Sequence, residues 1–226
     1  MIGADVLMAN LDLVDEGLVK LTWGNASAVD RKKGILYIKP SGVDYSEMIM
    51  EDMVVVDLET GASSGSFNPS SDTPTHLHLY REFSEIGGIV HTHSSYATSW
   101  AQACREIPCM GTTHADHFYG SVPVTRTLTK EEIEGDYELN TGKLISEYFQ
   151  GANYMKLPGI LVAEHGPFCW GRTVQEAVIH AIILEEIAKM AFRSIMLGKE
   201  QPIQKILLDK HYMRKHGSDA YYGQKP

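Results

Sequence analysis

Cysteine is scarce in this chain and unpatterned. Only three occur in 226 residues, Cys104, Cys109 and Cys169. Their spacings fit neither a CxxC site nor a disulfide framework, so free thiols in a reducing cytoplasm are expected. Positive charge is also short: 20 Lys and Arg stand against 29 Asp and Glu, a net charge of −9. That field argues against nucleic acid as a partner, but a small anion answers to local charge and stays possible. No apolar run suits a bilayer, since "MVVVDL" (53–58) is too short and "AVIHAIILEEIA" (177–188) too charged. The opening "MIGADVLMANLDLVDEG" carries acids and no basic leader, so no secretory signal is expected. Linkers, repeats and low-complexity stretches are missing too, which predicts one domain over 1–226.

What is present is an ordinary core-forming balance, 43% apolar and 22% charged residues. Val6, Leu7, Leu11, Val14 and Leu18 recur at helical spacing and predict an amphipathic helix over 4–20. Residues 21–42 read as a hairpin around "DRKKG", and 53–61 as a buried strand after a short helix. "ASSGSFNPSSDTPT" (62–75) is a loop by composition, with Pro74 suited to a first helical position. A strand at 87–93 and a helix at 95–104 precede a patch of short strands up to 126. A helical stretch (130–150), a strand within 158–171, a long helix (174–197) and a polar tail complete the reading. Hairpins alternating with helical crossovers predict a mixed sheet with helices on both faces.

Chemistry-bearing residues cluster where strands end. "VHTH" places His91 and His93 on one strand face, and "AEHGPF" puts His165 at another strand terminus. Three such imidazoles can converge on one ion, and zinc accepts three protein nitrogens while leaving a fourth position open. Asp72 can complete that shell or act beside it. Strand-end histidines are also common without any metal, and His76, His78 and His180 read as ordinary helix residues. "NPSSDTP" (68–74) offers hydroxyls before a helix, either an anion cradle or an N-cap through Ser71 or Asp72. "KPSG" (39–42) and "WGNAS" (23–27) combine polar groups with a glycine that permits close approach, or are simple turns. "TTHADHFYG" (112–120) and the tail "LLDKHYMRKHGSDAYYGQ" (207–224) concentrate further polar and aromatic groups, the latter equally readable as a frayed terminus.

Taken together, "TWGNASAVD", "IKPSGVDY", "PSSDTPTHLHLY", "GGIVHTHS", "GTTHADHFYG", "EHGPFCWG" and the tail block resemble the class II aldolase/adducin family. Within it they resemble the epimerases of phosphorylated ketopentoses, in the same order from about residue 5 to residue 224. The resemblance implies an α/β fold, a three-layer αβα arrangement around a mixed, largely antiparallel sheet. It implies one Zn(2+) per subunit on His91, His93 and His165, with Asp72 at the metal. Gly24, Asn25, Ser41, Gly42, Ser70 and Ser71 would contact substrate and phosphate. Asp116 and Tyr222 would carry protons, with His211 and Arg214 in support. The implied assembly is a homotetramer in which 207–226 reaches a neighbour's site.

The implied reaction is inversion at carbon 4 of a ketopentose 5-phosphate. That carbon is not adjacent to the carbonyl, so its proton is not acidic, and cleavage and re-formation of C3–C4 replaces simple deprotonation. Zinc would act as the Lewis acid. Free tyrosine titrates near ~10, so Tyr222 would need positive charge nearby, for which Lys210, Arg214 and Lys215 are candidates. The rival readings are an aldolase acting on fuculose or rhamnulose 1-phosphate, usually with glutamate in place of Asp72, and a metal-free adducin-like interaction domain. Two departures stand out: His117, where relatives often have tyrosine, and Glu164, where they often have a small or neutral residue; on a strand Glu164 would face away from His165.

Overall fold

The computed structural model describes residues 2–218 and 220–222, so residues 219 and 223–226 of the tail block lie outside the described residues. The chain runs α1 (Ile2–Asp15), β1 (Asn25–Asp30), β2 (Ile35–Ile38), a 3-10 turn (Met50–Asp52), β3 (Val54–Asp57), β4 (Ser63–Ser64) and α2 (Thr73–Glu82). Then follow β5 (Gly88–His91), α3 (Ser95–Gln102), α4 (Thr112–Ala115), α5 (Lys130–Glu134), α6 (Tyr137–Tyr148), β6 (Gly159–Leu161), β7 (Pro167–Gly171), α7 (Val174–Met196) and α8 (Lys205–His216).

The strands form one sheet in the order β4-β3-β2-β1-β5-β7-β6, and every paired ladder is antiparallel. A single isolated parallel bridge, Val124 to Leu161, adjoins it. The fold is therefore α/β with an antiparallel sheet between helical layers.

Period-two alternation builds the layers. Val90 and Cys169 point into a core shared with α1, α3 and α7, while their neighbours Ile89, Phe168 and Trp170 point into one shared with α2 and α6. Burying rings such as Phe168 and Trp170, both fully inaccessible, stabilises the fold by roughly 1.5–3 kcal/mol each. The "GG" before the histidine strand has a packing reason. A Cβ on Gly88 would sit 2.3 Å from Val174 Cα, and one on Gly87 2.1 Å from the Arg172 carbonyl oxygen. The start of α7 thus lies directly on β5 and holds the strand that carries His91.

Several sequence expectations change. The 107–126 patch holds isolated bridges, Ile107 to Val122 and Val124 to Leu161, and the short helix α4 rather than a run of strands. The predicted 130–150 helix breaks at Gly135 into α5 and α6, and the predicted strand at 158–171 is two strands joined by a turn. Glu164 lies in that turn at φ 62, so strand alternation does not set its direction. The tail is an ordered helix through His216, anchored by Tyr212, which is 6% exposed and packs on Tyr119 at 4.8 Å. Among the described residues no helix is long and apolar enough to cross a membrane.

Candidate active site

The end of β5 meets the starts of its antiparallel neighbours β1 and β7, and α2 and α6 begin beside that rim. Pairing of Asn25 with His91 and of His91 with Phe168 fixes the rungs of this platform. The bridge between Pro40 and Pro69 joins the "KPSG" and "NPSS" loops, with Ser41 N–H donating to Asn68 (2.9 Å) and Ser70 N–H to Lys39 (3.0 Å). The result is a cavity of about 480 Å³. All ten residues expected to bind metal or substrate line it: Gly24, Asn25, Ser41, Gly42, Ser70, Ser71, Asp72, His91, His93 and His165.

One nitrogen from each of His91, His93 and His165 lies within 4.8 Å of the others. The Nε2 atoms of His91 and His93 are 3.0 Å apart, close to the ~3.3 Å of two nitrogens each about 2.0–2.1 Å from one tetrahedral ion. His91 Nδ1 donates to the Pro167 carbonyl at 2.9 Å. A carbonyl only accepts, so the proton sits on Nδ1 and Nε2 keeps its lone pair for the cavity. Phe168 stacks beneath the ring at 4.2 Å. Burial pushes His93 below the usual histidine range and His165 down to about 3, with the neighbouring imidazoles adding to it. Converging imidazole nitrogens suit a borderline-soft divalent ion. The donor set therefore fits a metal such as zinc, and these three residues can hold it.

Asp72 is close by but differently placed. Its carboxylate accepts from Asn25 Nδ2 at 2.7 Å and lies 4.0 Å from His91 Nε2, outside the three-imidazole group. Burial disfavours its charge, yet the surrounding imidazoles and the Asn25 amide hold the carboxyl below its ordinary range. Although it occupies the N-cap position of α2, its side chain makes no capping hydrogen bond. Capping is therefore corrected to a cavity-facing role. Gly24 is required at φ 78, because a Cβ there would lie 2.8 Å from Val19 and 2.9 Å from the His91 carbonyl oxygen.

Three residues near the cavity carry weak or no local signal. Lys39 is 2% exposed, donates to the Pro40 and Val43 carbonyls, and burial draws its amine below the usual lysine range. Tyr137 reaches the cavity from the start of α6, its hydroxyl 3.4 Å from His165 Nδ1. His76, read as an ordinary helix residue, is fully buried behind Asp72. It spends Nδ1 on Ser27 at 2.7 Å, and its Nε2 has no partner among the described residues. Helical periodicity marks it as inward-facing, though not as polar and unpaired.

Asp116 and Tyr222 do not line this cavity; they belong to a second group on the same chain. Arg214 grips the Asp116 carboxylate with two donors, Nε at 3.0 Å and the second terminal nitrogen at 2.6 Å, and His211 Nδ1 adds a contact at 3.0 Å. His216 Nε2 donates to the Asp116 carbonyl at 2.9 Å. Burial opposes charge on Asp116, but Arg214 and His211 hold it below the usual carboxylate range, so it is ionised at neutral pH. The Arg214 carbonyl accepts from the Tyr221 and Tyr222 N–H groups, which ties the tail back to this cluster. Tyr222 itself is 61% exposed.

An αβα sandwich whose antiparallel sheet ends in a three-histidine cavity defines a structural class, and comparison with known proteins gives it a family. Residues 4–192 match the class II aldolase and adducin N-terminal domain, so the chain belongs to that family. The fold is similar to an L-fuculose 1-phosphate aldolase at 25% identity, covering 95% of this chain and 96% of the other, with a TM-score of 0.80. YgbL of Klebsiella pneumoniae, provisionally an aldolase/epimerase/decarboxylase, superposes at 0.71 with 23% identity over 92% and 96% of the two chains. An L-fuculose-1-phosphate aldolase from Thermus thermophilus superposes at 0.67 with 22% identity, over 90% and 98%.

Proposed function

We propose that this chain interconverts L-ribulose 5-phosphate and D-xylulose 5-phosphate by cleaving and re-forming the C3–C4 bond. One observation carries the reading. The three-histidine cavity and the group of Asp116 with Tyr222 are separate, and Arg214 contacts both members of that second group, as expected if the cavity holds the electrophile and the pair handles protons. Inversion needs a carbonyl attacked on either face, and so a proton carrier on each side of it. An aldolase that fixes one configuration needs only one.

His91, His93 and His165 would hold a zinc ion, which would supply Lewis-acid stabilisation of the negative charge that develops on cleavage. The protein does the rest. Ser41, Gly42, Ser70 and Ser71 offer hydroxyl and backbone donors for the phosphate, so the cleaved two-carbon aldehyde stays anchored while its carbonyl turns over. Asn25 presents in the same wall a buried Oδ1 that has no partner among the described residues and can accept from a sugar hydroxyl. Ionised Asp116 takes the C4 hydroxyl proton on one side, and Tyr222 returns one on the other.

Because Asp116 and Tyr222 lie outside their own chain's cavity, they serve the cavity of a neighbouring subunit, and a homotetramer meets that need. Cys104, Cys109 and Cys169 are all free thiols, which supports a cytoplasmic setting.

The test is incubation of purified protein with L-ribulose 5-phosphate, following D-xylulose 5-phosphate with and without prior chelation. Metal-dependent product is expected. No product, or product indifferent to metal stripping, sinks the reading. The likeness to L-fuculose 1-phosphate aldolase favours a second reading, aldol cleavage, which predicts release of a free aldehyde in place of the epimer.

A further inference from the structure

The geometry points to Lys215 as a positioning residue for that reaction: seated on His117, it holds Tyr222 of the tail against Asp116. The inference rests on the proposed epimerisation. Lysine is seldom covered, because its ammonium is strongly hydrated, yet the Lys215 side chain is only 17% exposed. Its Nζ lies 3.4 Å from His117 Nε2, 3.8 Å from Asp116 Oδ2 and 4.4 Å from the centre of the Tyr222 ring. The ammonium thus donates a hydrogen bond to His117 and adds a longer ion pair with Asp116 and a cation–π contact with the Tyr222 ring.

His117 has to be neutral for this arrangement, since a protonated imidazole would repel the ammonium. Burial, with Lys215 itself adding to it, draws His117 down to about 4. Arg214 cannot substitute. Its guanidinium is committed to both oxygens of Asp116, and its carbon lies farther from the tyrosine ring, at 5.0 Å. Lys210, the other cation that the sequence offers here, is exposed and makes none of these contacts among the described residues. Without Lys215, a largely exposed tyrosine near the chain end keeps its backbone tie to Arg214, but its ring loses its nearest cation. Proton transfer is sensitive to misplacement of about 1 Å, which can cost about a hundredfold.

The experiment is a double-mutant cycle on the zinc-loaded protein, with L-ribulose 5-phosphate as substrate. Lys215→Met is expected to lower kcat about tenfold, about 1.4 kcal/mol, with KM, metal content and melting temperature near wild type. Lys215→Met combined with Tyr222→Phe is expected to be no slower than Tyr222→Phe alone, because the lysine acts through the tyrosine. His117→Leu should move kcat in the same direction, and His117→Gln, which keeps an acceptor at similar reach, should restore it. Unchanged kcat in Lys215→Met, or losses that add in the double variant, overturns the inference while leaving the epimerase reading intact. Wild-type protein inert toward the substrate overturns both.

Discussion

Lowering the pH from about 7.5 to about 5 is predicted to weaken the fold through two histidines that play no part in the reaction proposed here. His76 and His114 are 0% and 3% exposed. Each has one ring nitrogen in a hydrogen bond, His76 Nδ1 with Ser27 at 2.7 Å and His114 Nε2 with the Gly120 carbonyl at 2.8 Å. The other nitrogen of each is buried without a partner among the described residues, so a proton added there would have nothing to bond. Burial accordingly pulls His76 to about 3 and His114 to about 4 from the ordinary 6.5. The unfolded chain takes up protons on these residues below about pH 6.5 while the folded chain does not, so stability is full above that value and falls as the pH drops toward the folded values. At pH 5 the gap below 6.5 is about 1.5 units, or about 2 kcal/mol per histidine at 1.36 kcal/mol per unit. The pair together removes about 4 kcal/mol from a total typically between about 5 and 15. Urea unfolding at the two pH values, with a chelator present so that no metal competes for imidazoles, should show a loss of at least this size, since His117 and His165 are drawn down in the same way and add to it. A loss smaller than about 1 kcal/mol, or imidazole NMR signals showing both rings titrating near 6.5, would refute the reasoning.

Two substitutions probe the site from other directions. Gly24→Ala forces a side chain into a left-handed backbone and against Val19 and the His91 carbonyl. It should cost about 2 kcal/mol or more and loosen metal retention through His91, measured by thermal melting and by metal content after dialysis. Asp116→Asn keeps the shape but removes the charge that Arg214 and His211 grip. We expect kcat to fall by about 10²–10⁴ with metal content unchanged, and equal losses of kcat and metal would place Asp116 in the wrong role.

Much of the site is legible in the sequence because it is local. His91 and His93 face one way by the two-residue period of a strand, and their Nε2 atoms meet at 3.0 Å. The glycine and serine pairs of three loops line one cavity, as their turn chemistry and family resemblance suggest. The failures are just as physical. His76 looks like any helix residue, because periodicity shows which side faces inward but not whether a buried nitrogen finds a partner. The tail looks frayed because its charged composition hides a helix whose stability comes from Tyr212 packing on Tyr119 and from Asp209 accepting the Tyr119 hydroxyl at 2.6 Å.

By itself, then, local spacing in the sequence determined a sheet flanked by helices and the shared face of His91 and His93, while the αβα layering and the set of loop residues around the cavity were legible only through the family resemblance. Only the tertiary structure decided that Asp116 and Tyr222 belong together and apart from the histidines. The link is Arg214, 98 positions from Asp116 in the chain. Packing of α8 on α4 makes that contact, and no local periodicity encodes it.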